Sequence, residues 1–450
     1  MKTSVILVAM LCIAPLCRAQ SAGVDALAEL RRSLADLKSS YEDRISELER
    51  RLTLAEREAS QALAETSIIA EQAAEALEIA EDLALAPVTT MRTDNIFNPA
   101  IGLILVGTAG SQISSADYQV PGFGLPGESG PVAEGFSLGE SELNINSNID
   151  DKFFGNLTLA IATEGSGTEV ELEEAYIQTL AMPWGINMTA GRFFSGVGYL
   201  NGFHTHVDDF IDRPLAYNVF LGGQFKDDGV QVRWILPTEH YFEVGGEILR
   251  GEAFPGAGAA NDGSGTWTLF AGSGGDVGIS NSWRVGFGVI HANVIDRPID
   301  PDDDSSGLFS GDSDLYNLNF VWKWAPRGNP VRTNFKLQGE YFTREEEGRL
   351  DLAAYDGDQS GWYLQGNWQF KPQWDMGYRY GRVDADNNSV AGSLLENDGK
   401  SIRHSLLLVW ANSEFSRFQL QYTGQSGLAN DNRWVLQYIH SLGAHGAHQF

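Results

Sequence analysis

Residues 315–324 read LYNLNFVWKW, with Tyr316, Leu318, Phe320, Trp322 and Trp324 alternating with Asn317, Asn319 and Lys323. A period of two places successive side chains on opposite faces of a strand. Here one face is apolar and aromatic, and the other carries amides and a cation. The pattern recurs at 156–162 (NLTLAIA), 362–370 (WYLQGNWQF), 416–423 (SRFQLQYT) and 433–438 (RWVLQY). In a water-soluble sandwich the polar face is outside. In a transmembrane barrel the polar face lines the lumen and the apolar face meets lipid.

Aromatic clustering selects the barrel. Trp283, Trp322, Trp324, Trp362, Trp374 and Trp410 fall at strand ends, where interfacial girdles place them. The pattern predicts sixteen strands near 99–114, 136–149, 152–164, 168–181, 186–200, 228–237, 241–253, 266–278, 282–295, 314–325, 331–345, 361–371, 373–384, 400–412, 415–426 and 433–442. Short turns alternate with longer connections at 115–135, 201–227, 254–265, 296–313, 346–360 and 385–399. That parity matches short periplasmic turns and external loops, and sixteen strands enclose an aqueous channel. The fold class is therefore an all-β transmembrane barrel of about sixteen antiparallel strands over 99–450, preceded by a long α-helical coiled coil.

The segment ahead of the barrel is read in three parts. Residues 1–19 carry Lys2, an apolar run from Ser4 to Leu16 and a small residue at Ala19, which predicts a cleaved signal peptide. Both cysteines, Cys12 and Cys17, fall inside it. The mature chain then has no disulfide, thiolate metal site or cysteine nucleophile. Residues 20–87 form the coil, with Leu27, Leu30, Leu34, Leu37, Tyr41, Ile45, Leu48, Leu52 and Ala55 spaced by threes and fours, then an alanine-rich seam. One narrow apolar stripe needs partners, so a homo-oligomer, a trimer by preference, is expected. Pro87 ends the helix, and 88–98 is a linker.

The chain has 450 residues, 31 Lys+Arg against 60 Asp+Glu and a net charge of −29. That balance argues against a nucleic-acid partner. With 43% hydrophobic residues the chain is not a disordered acidic tail.

The barrel region, 96–450, resembles the sixteen-stranded outer-membrane porins of Gram-negative bacteria, and Phe450 resembles the terminal aromatic of such barrels. The segments NIFNPAIGLIL (95–105), DRPLAYNVFLGGQFKDDGVQVRW (212–234) and SLGAHGAHQF (441–450) are similar to an uncharacterised proteobacterial group of porin-like proteins with an N-terminal coil. The resemblance implies an outer-membrane pore, often trimeric, in contact with lipid and lipopolysaccharide, with its coil in the periplasm and no named solute.

Selectivity is expected in the third external loop, 201–227. It carries Asp208, Asp209 and Asp212 as a pore constriction, and its apolar Phe203, Phe210, Leu215, Tyr217, Val219 and Phe220 anchor it to the wall. Strand parity assigns Arg233, Arg284, Arg332, Lys336, Arg379 and Arg417 to a basic lumen wall, with Glu140, Glu142, Glu340 and Asp375 as lumen acids. An acidic loop opposite a basic wall gives a transverse field. His204 and His206, with Asp208 or Asp209, form a candidate metal site for Zn²⁺ or another divalent ion. The aspartate run at 300–314 fails the EF-hand spacing at Ser305 and Gly311.

No cofactor is required, and no spacing of an enzyme is recognisable. The reading is a passive diffusion channel for small hydrophilic solutes or ions. A divalent-metal-selective channel and a structural protein whose coil reaches peptidoglycan are the alternatives. Deleting 22–86 separates the structural role from permeation.

Overall fold

The computed structural model describes residues 99–443 apart from 112–117, 119, 126–128, 133, 165–166, 257–262, 299–306, 386–387, 395–398 and 427–430, together with positions 46, 50 and 53. Ser46, Arg50 and Thr53 are helical. The signal peptide, the rest of the coil, the linker at 88–98, Phe450 and the acidic stretch 300–306 lie outside the described residues. The chain divides into two units, Met1–Asp94 and Asn95–Phe450.

Among its described residues the second unit holds nineteen strands. They are β1 (Ala100–Ser111), β2 (Gly135–Leu138), β3 (Ser141–Asn148), β4 (Phe153–Glu164), β5 (Gly167–Thr179), β6 (Ile186–Phe194), β7 (Lys226–Ile235), β8 (Tyr241–Leu249), β9 (Thr266–Val277) and β10 (Asn281–Pro298), then β11 (Leu308–Trp324), β12 (Asn334–Leu350), β13 (Ala353–Lys371), β14 (Trp374–Asp384), β15 (Ser389–Val390), β16 (Ser393–Leu394), β17 (Lys400–Ser413), β18 (Ser416–Ser426) and β19 (Asp431–Gly443). β2 and β3 are two halves of one stave against β1, with Gly107 opposite Leu138 and Ile101 opposite Ile145. β15 and β16 make a side hairpin, and β14 pairs directly with β17. Sixteen antiparallel staves remain, and β1 closes the ring on β19, with Leu105 opposite His440. Closure pairs every stave on both sides, which removes the open edge that lipid would not tolerate.

The alternation sorts as a membrane barrel requires. Leu318, Tyr341, Trp362 and Leu364 are exposed on the outer face, while Asn317, Asn319, Gln338, Glu340 and Gln365 are buried on the inner one. The girdle at the short-turn end includes stacked Trp374 and Trp410, with Trp410 stacked on Phe418. Among the described residues no helix is long and apolar enough to cross a membrane, and the strands do the crossing.

Three expectations need correction. The long connection at 346–360 is not there: β12 runs to Leu350, β13 starts at Ala353, and two residues join them. Alternation continues through Arg344 and Glu346 inward and Glu345 and Glu347 outward. Charged outer positions end the lipid band there without ending the hydrogen-bond ladder. β10 and β11 likewise extend into the stretch expected as the 296–313 loop. The strand expected at 186–200 stops at Phe194, because the chain turns into the lumen. Gly198 takes φ +88° in that turn, and a Cβ there would lie 2.6 Å from the Tyr217 hydroxyl.

Candidate functional site: the inward third loop

The connection from β6 to β7 folds inside the barrel. Its helix α1 (Leu215–Leu221) buries all seven residues, none more than 6% exposed. Leu215, Tyr217, Val219 and Phe220 pack into the main apolar cluster with Phe342, Tyr363 and Val383 of the wall. Gly222 ends the helix in the left-handed conformation.

One carboxylate gathers both ends of this loop. Glu340 of β12 accepts from the Tyr199 and Leu200 amides at 3.0 and 3.1 Å, the Tyr217 and Tyr363 hydroxyls at 2.8 Å each, and Asn317 Nδ2 at 3.0 Å. Asn201 closes the base, donating to the Ser195 and Phe225 carbonyls and accepting from the Phe225 amide.

Between these anchors, residues 204–213 cross the lumen as a strap. Lys336 contacts Asp209, and Arg379 contacts Asp212. Arg403 Nη1 lies 3.3 Å from Asp212, and Gln421 donates to the same carboxylate at 2.6 Å. Asp208 pairs within the loop, 2.8 Å from Arg213 Nε. Arg417 donates to the His206 and Asp208 carbonyls at 2.5 and 3.0 Å. The expected acidic loop opposite a basic wall is therefore corrected: Asp209 and Asp212 lie on that wall, paired with its cations.

The opposing charge stands on β3, β5 and the break before β3. Thr205 donates to Glu140 at 2.8 Å, and His206 Nδ1 lies 2.6 Å from Glu142 Oε1. His204 Nδ1 lies 3.1 Å from Glu142 and 3.2 Å from Glu173, while its Nε2 lies 3.2 Å from Glu174. Glu173 and Glu174 both face inward because the β4–β5 register slips there, a bulge that re-aims side chains. The histidines thus meet wall glutamates, and the expected grouping with Asp208 or Asp209 does not form.

The other expected cations divide. Arg233 and Arg284 pair with Glu243 at 3.8 and 2.8 Å, and Arg284 also sits 5.6 Å over the Tyr199 ring. Arg332 lies in the exposed bend before β12, off the lumen wall. Arg403, Arg213 and Arg433 were not singled out. Arg433 and Arg403 flank Tyr118, which belongs to a first connection that also folds inward. Phe123 of that connection packs edge-on against Phe220 at 5.6 Å. The stretch 115–135 is thus not wholly external, and its apolar Tyr118, Val120 and Phe123 were the available signal.

Water-sized space lies on both sides of the strap. Toward the long connections a cavity of about 340 Å³ is lined by Glu140, Glu171, Glu173, His206, Asp212 and Lys226. Toward the short turns, cavities of about 760 and 670 Å³ share Asp209, Lys323, Lys336 and Arg417. His206 lines both the upper cavity and the 670 Å³ one, so the partition is at this residue.

Electrostatics in the strap follow from burial. Burial holds the Asp212 carboxyl up, but Arg379 and Arg403 outweigh it and keep it below the ordinary range. Burial pushes Asp208 from 3.8 up to about 7, more than Arg213 brings it back. Burial disfavours the His204 imidazolium, yet Glu173 and Glu174 hold it well above the ordinary value.

No family model matches the chain. Among solved structures, the outer-membrane channel DcaP of Acinetobacter baumannii is 14% identical with a TM-score of 0.52, over 77% of this chain and 97% of that one. A loop-L8 deletion mutant of OmpT, an outer membrane protein of Vibrio cholerae, is 11% identical with a TM-score of 0.51, over 77% and 99%. The fold is that of outer-membrane channels. An uncharacterized protein of Aquifex aeolicus (strain VF5) is 28% identical over 388 residues, 79% of this chain and 80% of the relative.

Proposed function

We propose that the chain is a passive diffusion channel of a Gram-negative outer membrane, passing small hydrophilic solutes or ions, with loop 201–227 as its constriction. The observation that carries this reading is the half-buried strap 204–213, held inside a closed barrel with cavities above and below it that charged side chains help to line. A solute crosses from a compartment lined by Glu140, Glu171 and Glu173 to one lined by Lys323, Lys336 and Arg417. Selection is by aperture size and by the field between these walls. Asp208 and Asp209, which line the lower cavity, temper its positive charge, and Asp212 fixes the strap. The chain enters β1 on the side of the short turns, the side we assign to the periplasm, and the heptad stripe at 27–55 makes it a homotrimer. Proteoliposomes are expected to swell in sugars at rates that fall with solute mass. No swelling by folded protein contradicts the reading.

The raised Asp208 carboxyl gives a pH dependence. Its folded value of about 7 exceeds the ordinary 3.8, so the folded chain holds an extra proton between them. Stability contributed by that proton is present at low pH and is lost as pH rises through about 7. A negative charge then appears in the lower cavity. Reversal potentials at pH 6 and pH 8, values chosen about one unit either side, should show stronger cation preference at pH 8. Asp208→Asn should reduce the difference, and an unchanged difference excludes this assignment.

A further inference from the structure

The aspartates of the strap meet cations, but its histidine end meets more acid than its two imidazoles can balance. Glu142 and Glu173 are buried at 2% and 0% exposure, and Glu174 joins them around His204. Even with both rings doubly protonated, His204 and His206 bring two positive charges to the three carboxylates of Glu142, Glu173 and Glu174. Glu173 Oε1 is buried and meets no amide, hydroxyl or cationic donor among the described residues, and the neighbouring Glu140 is a further carboxyl. Buried charge of one sign calls for a counter-ion.

We propose that Nδ1 of His204 and the carboxylates of Glu142 and Glu173 bind a divalent transition-metal cation of the zinc class. One oxygen or nitrogen from each residue falls within 4.8 Å of the others. Nδ1 lies 3.1 Å from Glu142 Oε2 and 3.2 Å from Glu173 Oε2. Zinc ligands at about 2.0–2.1 Å in tetrahedral array stand roughly 3.3 Å apart, so these two spacings need little adjustment. A carboxylate–imidazole donor set suits zinc-class ions better than calcium or magnesium.

The surroundings orient the ligands as metal sites require. Glu174, 3.2 Å from Nε2, takes the ring N–H and leaves the Nδ1 lone pair toward the ion. His206 Nδ1 holds the other Glu142 oxygen at 2.6 Å. The Phe194 ring packs edge-on against His204 at 4.9 Å. The fourth position opens toward the 340 Å³ cavity, which Glu173 and His206 line. An ion here ties β3 and β5 to the start of the strap. The site does not rest on conduction, since a sealed barrel would bind the ion equally.

The test is calorimetric titration of the full chain, folded in detergent and stripped with chelator, with ZnCl₂ in excess MgCl₂. One Zn²⁺ per chain with micromolar or tighter affinity is expected. Glu174→Gln should weaken it about 10–100-fold, as loss of an orienting partner does, and Glu173→Gln by more than about 100-fold. X-ray absorption on the zinc-loaded protein should show one imidazole among oxygen ligands. Heat-modifiable electrophoretic mobility confirms folding, and Glu174→Gln serves if Glu173→Gln does not fold. Binding no tighter than millimolar overturns the proposal and leaves His204 as an imidazolium among carboxylates. So does wild-type affinity in the Glu173→Gln chain, or affinity lost only when His440, His445 and His448 are replaced.

Discussion

Glu340→Ala is expected to raise single-channel conductance severalfold and lower thermal stability. The carboxylate accepts from two loop amides, two tyrosine hydroxyls and one amide side chain. Each buried donor left without an acceptor costs about 1–3 kcal/mol. Water from the adjoining cavities recovers part of that, so a net loss of roughly 5 kcal/mol is expected. The stave ladder does not use this side chain, so the loss falls on the loop and frees residues 199–217 from the wall. Glu340→Gln keeps one acceptor oxygen and should give a smaller change. Unaltered conductance in a folded Glu340→Ala barrel would show that the loop does not obstruct the lumen.

Replacing Asp208, Asp209 and Asp212 together by Asn should turn the channel toward anions. Lys336, Arg379 and Arg403 keep their charge but lose their partners. Removing one side of a buried pair costs about 3–5 kcal/mol, which partly exposed Asp209 and Asp212 reduce. The strap should loosen, and the lumen should lose up to three negative charges, Asp208 and Asp209 from the lower cavity and Asp212 from the upper one. In planar bilayers under a salt gradient the reversal potential should move in the anion-selective direction, with higher conductance. A potential equal to wild type would mean that the aspartates do not face the ion path.

The barrel was legible because lipid and water impose a strict period of two on each stave, as LYNLNFVWKW at 315–324 shows. Reading failed where something other than lipid or water met the wall. Leu407 and Val409 point inward and are apolar because Phe210 of the strap packs on them. That run of leucines hid the parity that would have placed Arg403 in the lumen. Glu173 and Glu174 share a face only through a register slip, which no count of residues reveals. The aspartates stand out in the sequence, but the wall they rest against does not, since which wall a loop meets is set by contacts far apart in sequence, such as Asp212 with Arg379 and Arg403. The charged extensions of β12 and β13 were missed because the lipid band ends below them while the backbone pairing does not.

The central claim is that this barrel conducts through an aperture narrowed by its third loop. Single-channel recording of the purified full chain in a planar bilayer tests it most directly. Discrete conductance steps are predicted, with a reversal potential that shifts when the cation or anion is exchanged. A folded, heat-modifiable barrel that gives no steps above bare lipid contradicts it.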